Sequence, residues 1–81
     1  MSTLRDAEKK RALCARLARV EGQLRGIQKL IEEEAECEKV AQQLSAARKA
    51  LDKSFYAMLG CMIEEGDQSV SQVTEMLVKF A

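Results

Sequence analysis

The 81-residue sequence contains no proline, no tryptophan and no histidine, and its only aromatic residues are two phenylalanines and one tyrosine. The lack of histidine removes the side chain most often used for acid–base catalysis, and lone cysteines without a base partner make poor catalysts. The residues that dominate instead are Ala, Leu, Glu, Lys, Arg and Gln, which favour helices and offer little to a sheet. The sequence therefore predicts an all-α protein that is not an enzyme.

Long apolar runs are also missing. No stretch of about 18 apolar residues could span a membrane, and residues 1–6 lack the apolar centre of a secretion signal. The three cysteines are odd in number and widely spaced, so they do not form a disulfide framework and are better interpreted as buried, reactive or metal-binding thiols. We expect a cytoplasmic protein with no membrane partner.

The formal net charge is zero, but the charges are unevenly distributed. Residues 1–30 carry eight cations and three acids, whereas residues 31–38 carry five glutamates and no cation. The cations Arg16, Arg19 and Arg25 are expected on a face beside the apolar stripe of the first helix. A basic helix on a neutral protein favours a phosphate-binding surface.

Apolar residues recur at steps of three and four in three segments, which predicts three helices. The first extends from about residue 6 to 34, the second begins after a break near 34–37 and is roughly 27 residues long, and the third covers about Val70–Phe80 after the C-cap glycine Gly66. The three stripes are Leu13, Leu17, Val20, Leu24, Ile27 and Ile31; Val40, Leu44, Ala47, Leu51, Phe55, Met58 and Met62; and Val70, Val73, Leu77 and Phe80.

Residues 1–81 are thus predicted to be a single helical domain of two long antiparallel helices and a short third one. A chain of this size buries little apolar surface alone, so we expect it to pair with a second copy into a four-helix bundle. Gly22 and Gly26 interrupt the first helix four residues apart, which suggests that something packs closely there. Cys14, beside Leu13, is interpreted as a packing thiol, and Phe55 and Tyr56 as core residues.

One string of residues is distinctive: R-L-A-R-V-E-G-Q-L-R-G-I at 16–27, followed by Cys37 and by Q-L-S-A-A-R-K-A-L at 43–51. It resembles the copper-sensing repressor (CsoR) family, with its nickel-sensing RcnR and formaldehyde-sensing FrmR relatives. The resemblance implies an all-helical transcriptional repressor, a dimer of dimers that binds operator double-stranded DNA. It carries DNA contact to Arg16, Arg19 and Arg48, with Lys49 as a neighbour that could join them.

The inducer site departs from the family pattern. The metal sensors use a cysteine at the start of the second helix together with a histidine and a second cysteine of the partner subunit. Cys37 matches the first ligand, but Met62 stands at the histidine position and Gly66 at the second cysteine position, with Cys61 one residue before Met62. Without histidine, nickel and cobalt are disfavoured. Ser2 in place of an amino-terminal proline disfavours formaldehyde.

The remaining sensing pair is Cys37 and Cys61, and besides purely structural thiols or another inducer, three interpretations stay open. Reactive sulfur or thiol oxidation, as in the persulfide-sensing CstR branch, would modify the pair and release the operator without any cofactor. Alternatively Cu(I) would bind Cys37 and Cys61, with the thioether of Met62 as an optional ligand. A third interpretation, from another class, is a structural coiled-coil interaction module, which the apolar spacing alone would equally support.

Overall fold

The computed structural model describes residues 3–66 and 68–81, and in these residues it contains three α-helices and no strand. The helices are α1 (Ala7–Glu32), α2 (Cys37–Glu65) and α3 (Val70–Phe80). The all-α fold, the break before Cys37 and the bounds of the third helix are confirmed. No helix in the described residues is long and apolar enough to cross a membrane.

The turn between α1 and α2 is stabilised by backbone hydrogen bonds. The N–H of Glu34 donates to the carbonyl of Ile31, and the N–H of Ala35 donates to the carbonyl of Leu30, which is the bonding pattern of a Schellman motif. Glu34 has the left-handed φ of 60° that this motif requires and that glycine usually supplies. The α1 helix therefore ends where the apolar spacing stops, with a glutamate in a glycine position.

The other helix ends have more ordinary signals. Asp6 caps α1 by accepting the N–H of Lys9, and Gly66 ends α2 with a φ of 74°. Ser69 and Gln72 form a reciprocal capping box at the start of α3. The predicted C-cap glycine is confirmed, and the residue after it, Asp67, lies outside the described residues.

The α1 and α2 helices pack against each other as an antiparallel pair, and α3 contacts the later part of α2. The side chains buried between the long helices include Val20 and Ile27 of α1 and Ala47 and Ser54 of α2. Residues seven apart lie almost above one another on a helix, so these four residues mark one row on each helix that faces the other helix.

The neighbouring rows are apolar and exposed. The sequence placed them in the same stripe as the buried residues, but the stripe is wider than one partner helix can cover. Their large side chains remain 39–58% exposed. We call this surface the open face, and it consists of Leu17, Leu24 and Ile31 of α1 and Leu44 and Leu51 of α2.

Several side chains lie elsewhere than the sequence suggested. Cys14 and Tyr56 are exposed, so their interpretation as packing and core residues is wrong within this chain. Phe55 is half-buried, and its ring centroid lies 5.4 Å from that of Tyr56. In α3, Val73 is buried and Leu77 half-buried, whereas the end residues Val70 and Phe80 are exposed.

The two glycines of α1 do not lie against α2. A Cβ atom added at Gly22 or at Gly26 would meet no atom within 4 Å. The expected close approach therefore does not occur inside the described chain, and the two positions remain open on the helix surface.

Candidate sensing and DNA-binding surfaces

Cys37 is the first residue of α2, and its thiol is free and exposed. Every seventh residue after it is apolar: Leu44 and Leu51 of the open face, and then the half-buried Met58. Cys37 therefore continues the open face at the turn end of the hairpin. Ile31, Val40 and Leu44 line a shallow apolar depression with it there.

Cys61 lies in a different row of α2. It follows Val40, Ala47 and Ser54 at intervals of seven, and this is the row that faces α1. Its thiol is free and half-buried. A spacing of three residues turns a helix by about 60°, so the row of Cys61 borders the row of Cys37 without coinciding with it.

The two thiols cannot meet within one chain. They are 24 residues apart on one continuous helix, which corresponds to about 36 Å along its axis at 1.5 Å per residue. No group of three or more His, Cys, Asp or Glu side chains in the described residues is arranged to hold a metal ion. A site containing both thiols requires a second chain.

Met62 lies on the other side of the Cys37 row. It follows Met58 by four residues, which turns the helix by about 40°, and its side chain is half-buried. Measured around the helix from the row of Cys37, Met62 lies about 40° away and Cys61 about 60° away on the other side. Two thiolates and a thioether are soft donors that suit Cu(I), so the donor chemistry fits this metal although one chain alone cannot supply the geometry.

The basic residues do not form a single patch in one chain. Arg16 and Arg19 are exposed, one turn apart on α1, and lie about 100° and 160° around the helix from the row of Leu17. Arg48 is exposed and follows Leu44 by four residues, so it borders the open face. The exposed Lys49, one residue on, turns towards the outer side of α2.

Arg25 does not share the face of Arg16. Nine residues separate them on the continuous helix α1, and nine steps of 100° place their side chains on opposite sides. The expectation that Arg16, Arg19 and Arg25 project from one face is therefore wrong for Arg25, because the one-letter pattern hides the accumulated rotation. Arg16 and Arg19 form the only close pair among these three.

Glu65, the last residue of α2, contacts the start of α1, and the sequence did not indicate this contact. Its Oε1 accepts the backbone N–H of Asp6 (2.8 Å) and that of Arg5 (3.1 Å), and its Oε2 lies 3.2 Å from the same Arg5 nitrogen. Beside it, Lys9 Nζ lies 3.3 Å from Glu64 Oε2. The start of α1 is thus fastened to the end of α2.

These contacts favour the ionised form of Glu65. The hydrogen bond from Asp6 lowers the pKa of the Glu65 carboxyl most. Desolvation, the next largest effect, raises this pKa, and the bond from Arg5 and the charges of Lys9 and Arg5 lower it further, so that the net shift is downward. The one signal in the sequence was the acidic pair Glu64-Glu65 at a helix C-terminus. The helix dipole disfavours acids there, which indicates that something else stabilises them.

Taken together, the fold defines a class: a small all-helical protein whose second helix carries a free thiol towards each end. The chain belongs to the family of metal-sensitive transcriptional repressors, whose family model matches residues 9–79. It is 28% identical to the copper-sensing transcriptional repressor CsoR of Bacillus subtilis (strain 168), over 94% of this chain and 85% of that protein. No solved structure matches the chain significantly.

Proposed function

We propose that this repressor acts as a homodimer that assembles further into a homotetramer, and that it leaves its operator when Cys37 of one chain reacts together with Cys61 of another. The observation that carries the proposal is the separation of the two thiols by about 36 Å on one rigid helix. Any chemistry that joins them must join two chains. It therefore acts directly on the geometry of the assembly.

The open face supports the dimer. Its five large side chains form two rows on one side of the hairpin, where a second hairpin can complete a four-helix bundle. A twofold axis that pairs the α2 row with itself brings Leu44 of one chain near Leu51 of the other. Cys37 then approaches the far end of the other α2, which carries Met58, Cys61 and Met62.

The primary trigger that we propose is reactive sulfur. The thiolate of Cys37 takes the outer sulfur of an organic persulfide RSSH, which gives a Cys37 persulfide and RSH. The Cys61 thiolate of the other chain then attacks the inner sulfur, forming a disulfide and releasing H2S. The absence of histidine from the sequence supports this trigger, because neither step needs an imidazole.

The second candidate trigger is Cu(I). It is supported by the position of Met62, which is slightly closer around the helix to the Cys37 row than Cys61 is, and by the metal-sensitive description of the family. Cu(I) supplies soft-ligand coordination, while the chain's part is to present the sulfur atoms of Cys37, Cys61 and Met62 from two subunits.

DNA contact is proposed for Arg16, Arg19, Arg48 and Lys49. All four side chains are exposed, and the structure gives none of them an ion pair within the described residues, so their charge is available to phosphates. They lie on different sides of one hairpin. A continuous basic surface therefore depends on how the chains are arranged, which is why a link between chains can abolish it.

Intact mass spectrometry of the reduced protein tests the trigger. After treatment with an organic persulfide, we expect pairs of chains joined through Cys37 and Cys61, and loss of the operator complex in a mobility-shift assay. After treatment with Cu(I), an unchanged covalent mass with stoichiometric metal in the native spectrum, and loss of the operator complex, would establish the copper alternative instead. Normal responses by a Cys37→Ser variant to both agents would contradict the proposal.

A further inference from the structure

The contact between Glu65 and the N-terminus of α1 lies one helical turn beyond Cys61. Glu65 follows Cys61 by four residues, so the two side chains are neighbours on the surface of α2. Both point towards α1, because Cys61 is in the row of Ala47 and Ser54 and Glu65 bonds the residues that precede α1.

The register of the two helices places Cys61 opposite the first turns of α1. Glu65 is level with Asp6, and Glu64 pairs with Lys9, so one turn earlier on α2 corresponds to the stretch of α1 after Lys9. Lys9 and Leu13 are both half-buried, as expected for side chains that face α2. Cys61 thus lies where the start of α1 packs against the end of α2, one helical turn before the Glu65 contact. We call this region the joint.

The joint is closed by hydrogen bonds and by an ion pair. Glu65 accepts the N–H groups of Arg5 and Asp6, and one ion pair joins Lys9 and Glu64. These contacts lie near the surface, where a hydrogen bond or an ion pair contributes little individually. A group of a few atoms added at a packed helix joint forces the surrounding side chains and backbone to shift.

We propose that Glu65 is a latch that positions the start of α1, and that an adduct on Cys61 opens it. The adduct occupies the space between α2 and the first turns of α1, separates the helices at this end and removes the carboxylate from the N–H groups of Arg5 and Asp6. The released segment carries Arg5, Lys9, Lys10 and Arg11, four cations in seven residues.

The latch extends the proposed function, on which it rests through the role of Cys61 as a sensing thiol. Linking chains through Cys61 would then act twice: it would change the arrangement of the chains, and it would release a segment with four cations and two acids from a fixed position. A segment that loses its fixed position must be ordered again to meet phosphates, which weakens binding.

Amide hydrogen exchange in the full-length protein, followed residue by residue by NMR, tests the latch without DNA. In a Cys14→Ser, Cys37→Ser background only Cys61 reacts with iodoacetamide: its thiolate forms a carbon–sulfur bond, iodide leaves and the thiol proton passes to buffer. We expect exchange at the Arg5 and Asp6 amides to rise by about tenfold or more, while exchange at Val20 and Ile27 in the hairpin core stays unchanged.

Two matched controls separate the latch from general damage. Iodoacetamide acting on Cys37 in a Cys14→Ser, Cys61→Ser background adds the same adduct at the other end of α2 and should leave the Arg5 and Asp6 amides protected. Glu65→Ala, which removes the acceptor, should expose them without any adduct, whereas Glu64→Ala, which truncates the neighbouring side chain, should not.

Unchanged protection of Arg5 and Asp6 after modification of Cys61 would overturn the latch, and so would equal effects of Glu64→Ala and Glu65→Ala. The proposed function fails separately. If an organic persulfide leaves wild-type chains unlinked, or links them through Cys37 and Cys61 without loss of the operator complex in a mobility-shift assay, the proposed function is wrong even where the adduct exposes these two amides.

Discussion

Cys37 and Cys61 lie at opposite ends of one helix, in neighbouring rows, and α1 covers the row of Cys61 but not that of Cys37. This relationship assigns different tasks to two chemically identical groups. Cys37 is free and exposed at the end of an apolar surface that awaits a partner, whereas Cys61 is half-buried at a helix joint. A signal that joins them acts on the contact between chains and on the packing within one chain.

The open face predicts that a charge at its centre prevents dimerisation. In a twofold interface Leu51→Glu introduces two buried carboxylates, each costing about 2 kcal/mol or more, so we expect the dimer dissociation constant to rise by roughly a thousandfold. Sedimentation equilibrium measures this. Gln42→Glu, an exposed position of α2 outside the open face, is the control and should dimerise normally. Equal dissociation constants for the two variants would place the interface elsewhere.

The arginine pair of α1 predicts a specific change in salt dependence. Removing one phosphate contact lowers the slope of log affinity against log salt by about 0.9. We therefore expect Arg16→Ala and Arg19→Ala each to weaken operator binding and flatten this slope. Arg25→Ala, on the opposite side of the same helix, should leave the slope unchanged. A larger effect of Arg25→Ala in a fluorescence anisotropy titration would contradict the assignment.

The Glu65 contact predicts a pH dependence. Because hydrogen bonds lower the pKa of this carboxyl in the folded chain, it contributes stability that is present above the unfolded pKa of about 4.3 and is lost as pH falls through the lower folded value. The melting temperature of the wild type should therefore be higher than that of Glu65→Gln at neutral pH, and this difference should vanish in acid. Melting curves from pH 2 to 7 provide the measurement. A difference that does not change with pH would show that charge is irrelevant to the contact.

The turn predicts a stabilising substitution. Glu34 has a φ of 60°, a conformation that costs a side-chain-bearing residue about 1 kcal/mol and glycine much less. After the entropic penalty of glycine in the unfolded chain, we expect Glu34→Gly to raise the free energy of unfolding by about 0.5 kcal/mol. Glu33→Gly, at a φ of −83°, should lower it. Urea unfolding of the two variants compares them directly, and destabilisation by Glu34→Gly would contradict the interpretation.

Much of the fold could be predicted from the sequence because its signals are local. The helix formers, the steps of three and four, and Gly66 set the helix bounds without reference to distant residues. The sequence could not separate the buried from the exposed residues in the wide apolar stripe of α1. Val20 and Leu24 fit the same pattern, but α2 covers only Val20. The left-handed turn at Glu34 also had no glycine to reveal it.

The candidate site was less predictable, because it depends on rotation accumulated over many residues and on contacts between distant residues. The sequence could name Cys37 and Cys61 but not their rows, and it placed Arg25 on the wrong face. Glu65 bonds residues about 60 positions away, and no local pattern encodes such a contact. The positions of Arg16, Arg19, Arg48 and Lys49 relative to DNA stay a prediction.

Mixing two single variants tests the central claim most directly. Cys37→Ser and Cys61→Ser, both in a Cys14→Ser background, are combined in equal amounts, allowed to exchange subunits and treated with an organic persulfide. We predict covalent pairs of one chain of each variant in the mixture, none in either variant alone, and loss of operator binding in step with pairing. Equal pairing in the separate variants, or pairing without any loss of operator binding, would contradict the account.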